Sequence, residues 1–155
     1  MQTEDYLKAG KIASEVREMV RKKDWIGKTV YEICEEVEGE IKKRGAKCAF
    51  PVNTSINEIA AHYTAEPNDP ITIKDTDLVK IDLGAQVNGY IADTAVTVCY
   101  DAQYDGLVQT AEEALANAMA MIKTGVKASD IGRTIESTIK QKGFKPIANL
   151  SGHSL

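Results

Sequence analysis

The chain has 155 residues, of which 43% are hydrophobic and 27% charged, a composition that suits a soluble globular protein with one sizeable hydrophobic core. Its formal net charge of −4 argues against nucleic acid or an anionic membrane as a standing partner. Its apolar runs fall short of the roughly 20 residues that span a bilayer, and its first residues do not resemble a signal peptide. The cysteines Cys34, Cys48 and Cys99 lack metal-type spacing, so we expect reduced thiols in a cytoplasmic protein.

Two helices are predicted at the start of the chain. Apolar residues recur at helical spacing over residues 1–23, which indicates an amphipathic helix. Gly27 interrupts this pattern. Thr29 and Glu32 then form a capping-box pattern ahead of a second stretch of helical periodicity, and Gly45 supplies a stop signal.

The remainder of the chain is predicted to contain a loop, two strands and two further helices. Residues 50–70 read as a loop, whereas residues 78–99 alternate in the manner of strands. Helices are expected over residues 104–121 and 129–142, with a glycine after each.

The two halves of the chain are similar when one is shifted by 98 positions. Three apolar positions and two glycines coincide, so that Ile33, Val37, Ile41, Gly27 and Gly45 fall on Ile131, Ile135, Ile139, Gly125 and Gly143. This similarity predicts two pseudo-repeats in one domain, residues 1–101 and 104–155, although any two amphipathic helices can align this well after sliding. If the repeat is real, the second copy lacks roughly 45 residues that include its hairpin, and we expect an incomplete domain.

The stretch KIDLGAQVNGYIADTA, residues 80–95, contains an Asn-Gly pair of the kind that favours a two-residue type I′ hairpin turn. With this pair as the turn, Asp93 lies opposite Gly84, and Asp82 lies two positions further along the same strand as Gly84. Cross-strand partners and residues two apart project from the same face. The two aspartates therefore become diagonal neighbours, with their Cβ atoms about 7–8 Å apart. Gly84 leaves room beside them.

Two ionised carboxylates on a half-buried face repel each other and raise a pKa unless a cation or a proton lies between them. Divalent metal ions relieve this repulsion directly, and pairs of ions about 3.5–4 Å apart occur in many hydrolases. Two alternatives stay open at this point. The aspartates could be solvated on an exposed face, or they could form an acid–base pair.

The sequence contains two histidines, His62 in AAHYTA and His153 in NLSGHSL. A single histidine is most often a structural residue. A neutral imidazole would, however, add a nitrogen ligand to an oxygen-rich site. It would shift the preferred ion from magnesium or calcium towards manganese, iron, cobalt or zinc.

Three stretches, AFPVNTSINEIAAHYTA, VKIDLGAQVNGYIADTAVT and NLSGHSL, together resemble the methionine aminopeptidases, most closely the type 2 branch of archaea and eukaryotes. The resemblance extends over essentially all of the chain. It implies the α+β pita-bread (creatinase/aminopeptidase) fold, of which the chain would hold the first helix–helix–hairpin repeat and the start of the second. It also implies removal of the N-terminal methionine from peptides and nascent proteins, assisted by two divalent ions (cobalt, manganese, iron or zinc).

The resemblance further assigns roles to five residues. Asp82 would be a terminal ligand of one metal ion, Asp93 would bridge both ions, and His153 would bind the other. His62 would hydrogen-bond the substrate near the scissile amide, as a catalytic and substrate-binding residue. Phe50 would line the pocket for the methionine side chain. In this family two glutamates and another histidine follow the Ser-Gly-His segment, so we expect an N-terminal portion with weak metal affinity and negligible activity alone.

Two other hypotheses follow from the same sequence. One is a non-catalytic pita-bread module for binding or assembly, which would have no physical need to keep this set of aspartates and histidines. The other is that a second copy or a separate polypeptide supplies the missing C-terminal part, because uncovered strand edges favour self-association or complementation.

Overall fold

The computed structural model describes residues 2–153 and residue 155. Within this range the elements are, in chain order, α1 (Gln2–Lys22), α2 (Val30–Lys43), β1 (Lys47–Cys48), β2 (Asn53–Ile56), β3 (Leu78–Val87), β4 (Tyr90–Cys99), a 3₁₀ helix (Ala102–Tyr104), α3 (Asp105–Met121) and α4 (Ala128–Gln141). All four predicted helices and the hairpin are present close to their expected bounds. The prediction that residues 50–70 form only a loop is wrong, because β2 lies inside that stretch.

The chain divides into two compact units, the first over residues 1–101 and the second over residues 102–154. The first unit contains α1, α2 and an antiparallel sheet centred on β3. One edge of β3 pairs with β4 along its full length. Its other edge pairs with β1 near the hairpin turn and with β2 further from it.

One face of this sheet forms the core of the first unit together with α1 and α2. Residues Val79, Ile81 and Leu83 alternate along β3 and are all fully buried, as predicted. The core also contains these buried residues of the helices and loops: Ala9, Ile12, Ala13, Val16, Val20, Trp25, Val30, Ile33, Cys34, Val37, Ile41, Val52 and Ile73. The opposite face of the hairpin is therefore the one that is available for chemistry.

The start and the end of α2 follow their sequence signals. The Thr29 hydroxyl accepts a hydrogen bond from the Glu32 amide at 3.1 Å, and the Glu32 carboxylate accepts one from the Thr29 amide at 2.8 Å. This reciprocal pair is the predicted capping box. Gly45 follows the helix with a φ of 82°, in the left-handed region that glycine adopts without strain.

The second unit is built on the packing of α3 against α4. Small buried residues of α3, namely Thr110, Ala114 and Ala118, allow the two helices to approach each other closely. Asn117 of α3 donates a hydrogen bond to the Thr138 hydroxyl of α4 at 3.2 Å.

The helix bounds of α2, shifted by 98 positions, coincide with those of α4. The glycines on either side behave alike, since Gly27 and Gly45 have φ values of 81° and 82°, and Gly125 and Gly143 have 85° and 84°. This agreement supports the repeat interpretation, which stays a prediction.

None of the helices over the described residues is long and apolar enough to cross a membrane.

Candidate metal centre and substrate site

The hairpin turn brings the two aspartates to one face of the sheet. Asn88 and Gly89 have φ values of 53° and 90°, as a type I′ turn requires. The resulting register pairs Asp93 with Gly84 and Asp82 with Ala95. The predicted diagonal arrangement is confirmed.

This arrangement changes the pKa of the Asp82 carboxyl. Its pKa is raised from 3.8 to about 6, first by burial and then by repulsion from the Asp93 carboxylate. A hydrogen bond with Asp93 acts in the same direction, and attraction by His62 acts against it. The pair therefore favours binding a proton or another cation at this face.

His62 belongs to a loop segment that is tied to β2. The Thr54 amide donates to the Tyr63 carbonyl at 2.8 Å, and the Tyr63 amide donates to the Ser55 hydroxyl at 3.2 Å. His62 itself has a φ of 66° and is exposed. These bonds to its neighbour hold the segment against β2, and attraction by the His62 side chain lowers the pKa of Asp82.

Asn53 is a further residue of the carboxylate face, and the sequence pattern did not indicate it. It pairs directly with Asp82 in the β2–β3 register, so it shares the carboxylate face. Its side-chain oxygen accepts a hydrogen bond from the Thr64 hydroxyl at 2.9 Å, which ties the histidine loop to the sheet. The alternating residues of VNTSI are the only sequence pattern that indicates the β2 strand. This pattern is too short to stand out within a stretch that otherwise reads as loop.

The Phe50 ring occupies the space beside the aspartates that Gly84 leaves open. A methyl group at Gly84 would overlap the Phe50 ring and would lie 2.9 Å from Cβ of Ala49. Because Gly84 and Asp82 project from the same face, the ring lies on the carboxylate side of the sheet. Phe50 is half-buried there.

His153 lies in the second unit. It is exposed and lines an apolar groove of about 1090 Å³, whose other walls include Ile131, Ile135, Ile139 and Phe144. Over residues 2–153 and 155, no group of three or more His, Cys, Asp or Glu side chains is arranged to hold a metal ion. The carboxylate pair of the first unit is thus the part of the predicted centre that the described geometry assembles.

All three cysteines are free thiols, as predicted. Cys34 is buried, and its thiol donates to the Val52 carbonyl at 3.3 Å. Burial raises the pKa of this thiol, which suits a structural residue more than a nucleophile.

Comparison with known proteins decides the family. The model of metallopeptidase family M24 matches residues 4–155. The chain belongs to metallopeptidase family M24. It is 48% identical to the methionine aminopeptidase of Pyrococcus abyssi over the whole chain, which corresponds to 52% of that relative. It is also 44% identical to the methionine aminopeptidase of Methanothermus fervidus, covering 98% of this chain and 88% of that relative.

A solved M24 structure has the same fold. The methionine aminopeptidase of Thermotoga maritima matches 98% of this chain and 65% of its own, with a TM-score of 0.89 and 31% identity. The fold is therefore the α+β pita-bread fold of M24 enzymes, as predicted, and the described elements cover part of it. The chain spans about half the length of most of the curated methionine aminopeptidases it matches.

Proposed function

We propose that this chain carries part of the active site of a metal-dependent methionine aminopeptidase of the cytoplasm, which removes the N-terminal methionine from peptides and nascent proteins. The observation that carries the proposal is the Asp82–Asp93 pair on one face of the hairpin, where burial and then the Asp93 carboxylate raise the pKa of Asp82. The identity of 44–48% to archaeal methionine aminopeptidases supports the choice of substrate.

The donor set suits divalent transition metals. Asp82 and Asp93 offer carboxylate oxygens and His153 offers an imidazole nitrogen, a mixture that favours manganese, iron, cobalt or zinc over magnesium or calcium. A cation between the aspartates also removes the repulsion that raises the pKa of Asp82. Asp82 and Asp93 would hold divalent ions at the carboxylate face, and His153 would be the nitrogen ligand of the complete centre.

Two ions bound there would supply a water of lowered pKa and would polarise the scissile carbonyl. Side chains of the protein position the substrate and stabilise charge that develops on it. The free amino group of the substrate would be placed by the bound metal and the nearby carboxylates, which limits cleavage to the first residue. His62 hydrogen-bonds the peptide near the scissile amide and stabilises charge that develops there. Phe50 contacts the methionine side chain.

Calorimetric titration of the chain with manganese tests the metal centre. We expect weak but measurable binding by the wild type and loss of that binding in the Asp93→Asn variant, which keeps the shape of the side chain and removes its charge. Asp75→Asn, an exposed residue in the turn that precedes β3, is the matched control and should bind as the wild type does.

Release of methionine from a Met-Gly peptide tests the substrate. The 155-residue chain should show negligible turnover by itself, and turnover should rise when the segments that carry the family's remaining ligands are provided on the same or another polypeptide. Turnover by the chain alone at the rate of a complete enzyme would contradict this division of the site.

A non-catalytic binding or assembly module is the second candidate. It is favoured if manganese fails to bind the wild type, or if Asp93→Asn leaves binding unchanged. A third arrangement has another copy or a separate polypeptide supply the rest of the site. Sedimentation tests the former, because a strict monomer excludes self-complementation.

A further inference from the structure

We propose that Gly84 is a positioning residue for the methionine pocket, where its missing side chain lets the Phe50 ring lie directly against β3. This inference rests on the proposed function, since it assigns Gly84 to the same substrate site. It concerns how the pocket is built rather than which metal or reaction is used.

Backbone contacts hold Phe50 in place over Gly84. The Ala49 amide donates to the Gly84 carbonyl at 2.9 Å, which extends the β1–β3 pairing up to the residue before Phe50. The ring therefore follows a backbone that is bonded to the strand beneath it. It cannot withdraw from Gly84 without a change of rotamer or the loss of that hydrogen bond.

The contact between the ring and Gly84 leaves no space for a side chain. A methyl group at this position would overlap the Phe50 ring. The backbone of Gly84 lies within an extended strand that any residue can adopt, so steric overlap is the principal cost of adding the methyl group. The ring would have to move outwards over the carboxylate face, where Asp93 lies opposite Gly84.

Movement of the ring should change the methionine pocket, whereas the backbone register that holds Asp82 and Asp93 on one face should be kept. Gly84→Ala alters no ligand and no hydrogen-bonding group of the hairpin. We therefore expect it to act on substrate binding more than on the chemical step. In the metal-loaded full-length protein, KM for a methionyl peptide should rise about tenfold or more while kcat changes less than about threefold.

A double-variant experiment separates this effect from a general loss of packing. The added methyl group would also lie 2.9 Å from Cβ of Ala49, so the comparison is made in an Ala49→Gly background that removes this second contact. There Gly84→Ala should still raise KM, whereas with Phe50→Ala added, and the ring absent, it should change KM less than about twofold. Phe50→Leu, with a smaller side chain, should partly rescue Gly84→Ala. Gly39→Ala is the matched control, because a methyl group at Gly39 of α2 meets nothing within 4 Å.

The position of the ring can be measured without enzyme activity. The chain has two phenylalanines, Phe50 and Phe144, so fluorine-labelled phenylalanine gives two resonances, and Phe50→Ala identifies one of them by its loss. Gly84→Ala should shift the Phe50 resonance and leave that of Phe144 unchanged, and Gly39→Ala should shift neither.

The outcomes distinguish failure of this inference from failure of the proposed function. An unshifted Phe50 resonance in Gly84→Ala overturns the positioning role, as does an equal rise of KM with and without the Phe50 ring. If the resonance shifts as expected but no methionyl peptide is cleaved by the metal-loaded full-length protein, the packing is right and the proposed substrate is wrong.

Discussion

Two aspartates on neighbouring strands would normally be placed apart, because each carboxylate destabilises the other. Here the hairpin register holds Asp82 and Asp93 together, and the pKa of Asp82 rises to about 6. A strained electrostatic arrangement of this kind is typical of a functional site.

The metal-free chain should lose stability as the pH rises through the pKa of Asp82. The folded state holds the Asp82 proton up to about pH 6, whereas the unfolded state releases it near 3.8. Between these values the folded state binds more protons, so its stability falls as pH increases. A shift of about two units corresponds to roughly 3 kcal/mol, which partial solvent exposure of Asp82 reduces to about 1–2 kcal/mol.

Thermal or urea unfolding in chelator, from pH 4 to pH 7, measures this effect. The Asp82→Asn variant cannot lose a proton at this position, so its stability relative to the wild type should improve by about 1–2 kcal/mol over that range. A constant difference between the two proteins across the range would show that Asp82 does not titrate as inferred.

At the scale of elements, α2 and α4 begin in different ways although their bounds correspond. α2 begins at the Thr29–Glu32 capping box, whereas α4 begins at Lys127, whose side chain makes no capping hydrogen bond. A lysine at this end is also unfavourable, because the amino terminus of a helix carries partial positive charge. α4 is therefore stabilised less than α2 by the local signals at its start.

Opposite effects are expected from substitutions at the two helix starts. Thr29→Ala should reduce the free energy of unfolding by about 1 kcal/mol, and Thr29→Ser should retain the cap and stay near the wild type. Lys127→Thr should instead add about 0.5–1 kcal/mol, because it supplies a side-chain oxygen to the first turn of α4. Urea unfolding followed by circular dichroism measures both, and a loss of stability in Lys127→Thr would refute the argument for α4.

At the scale of the whole molecule, the two units differ in how well they bury corresponding residues. Ile33, Val37 and Ile41 of α2 are fully buried under the sheet. Their counterparts in α4, Ile131, Ile135 and Ile139, are only partly buried and line the groove of the second unit. Similar sequences thus make unequal contributions to stability, because burial depends on the covering layer as well as on the residue.

Matched substitutions at corresponding positions measure this difference. Ile33→Ala should cost about 2–4 kcal/mol, since it opens a cavity in a packed core. Ile131→Ala should cost about 1 kcal/mol or less, since its side chain is already partly in contact with water. Equal losses in urea unfolding would mean that the α4 face is as well covered in solution as the α2 face.

The sequence by itself determined the helices, the Asn-Gly turn and the strand register, because each depends on local periodicity, capping or turn chemistry. From the register followed the shared face of Asp82 and Asp93. The tertiary structure alone decided that β2 forms within a loop-like stretch, that Asn53 joins the carboxylate face, and that Phe50 lies over Gly84. Those features depend on contacts between residues distant in sequence, for which a short segment carries no periodic signal.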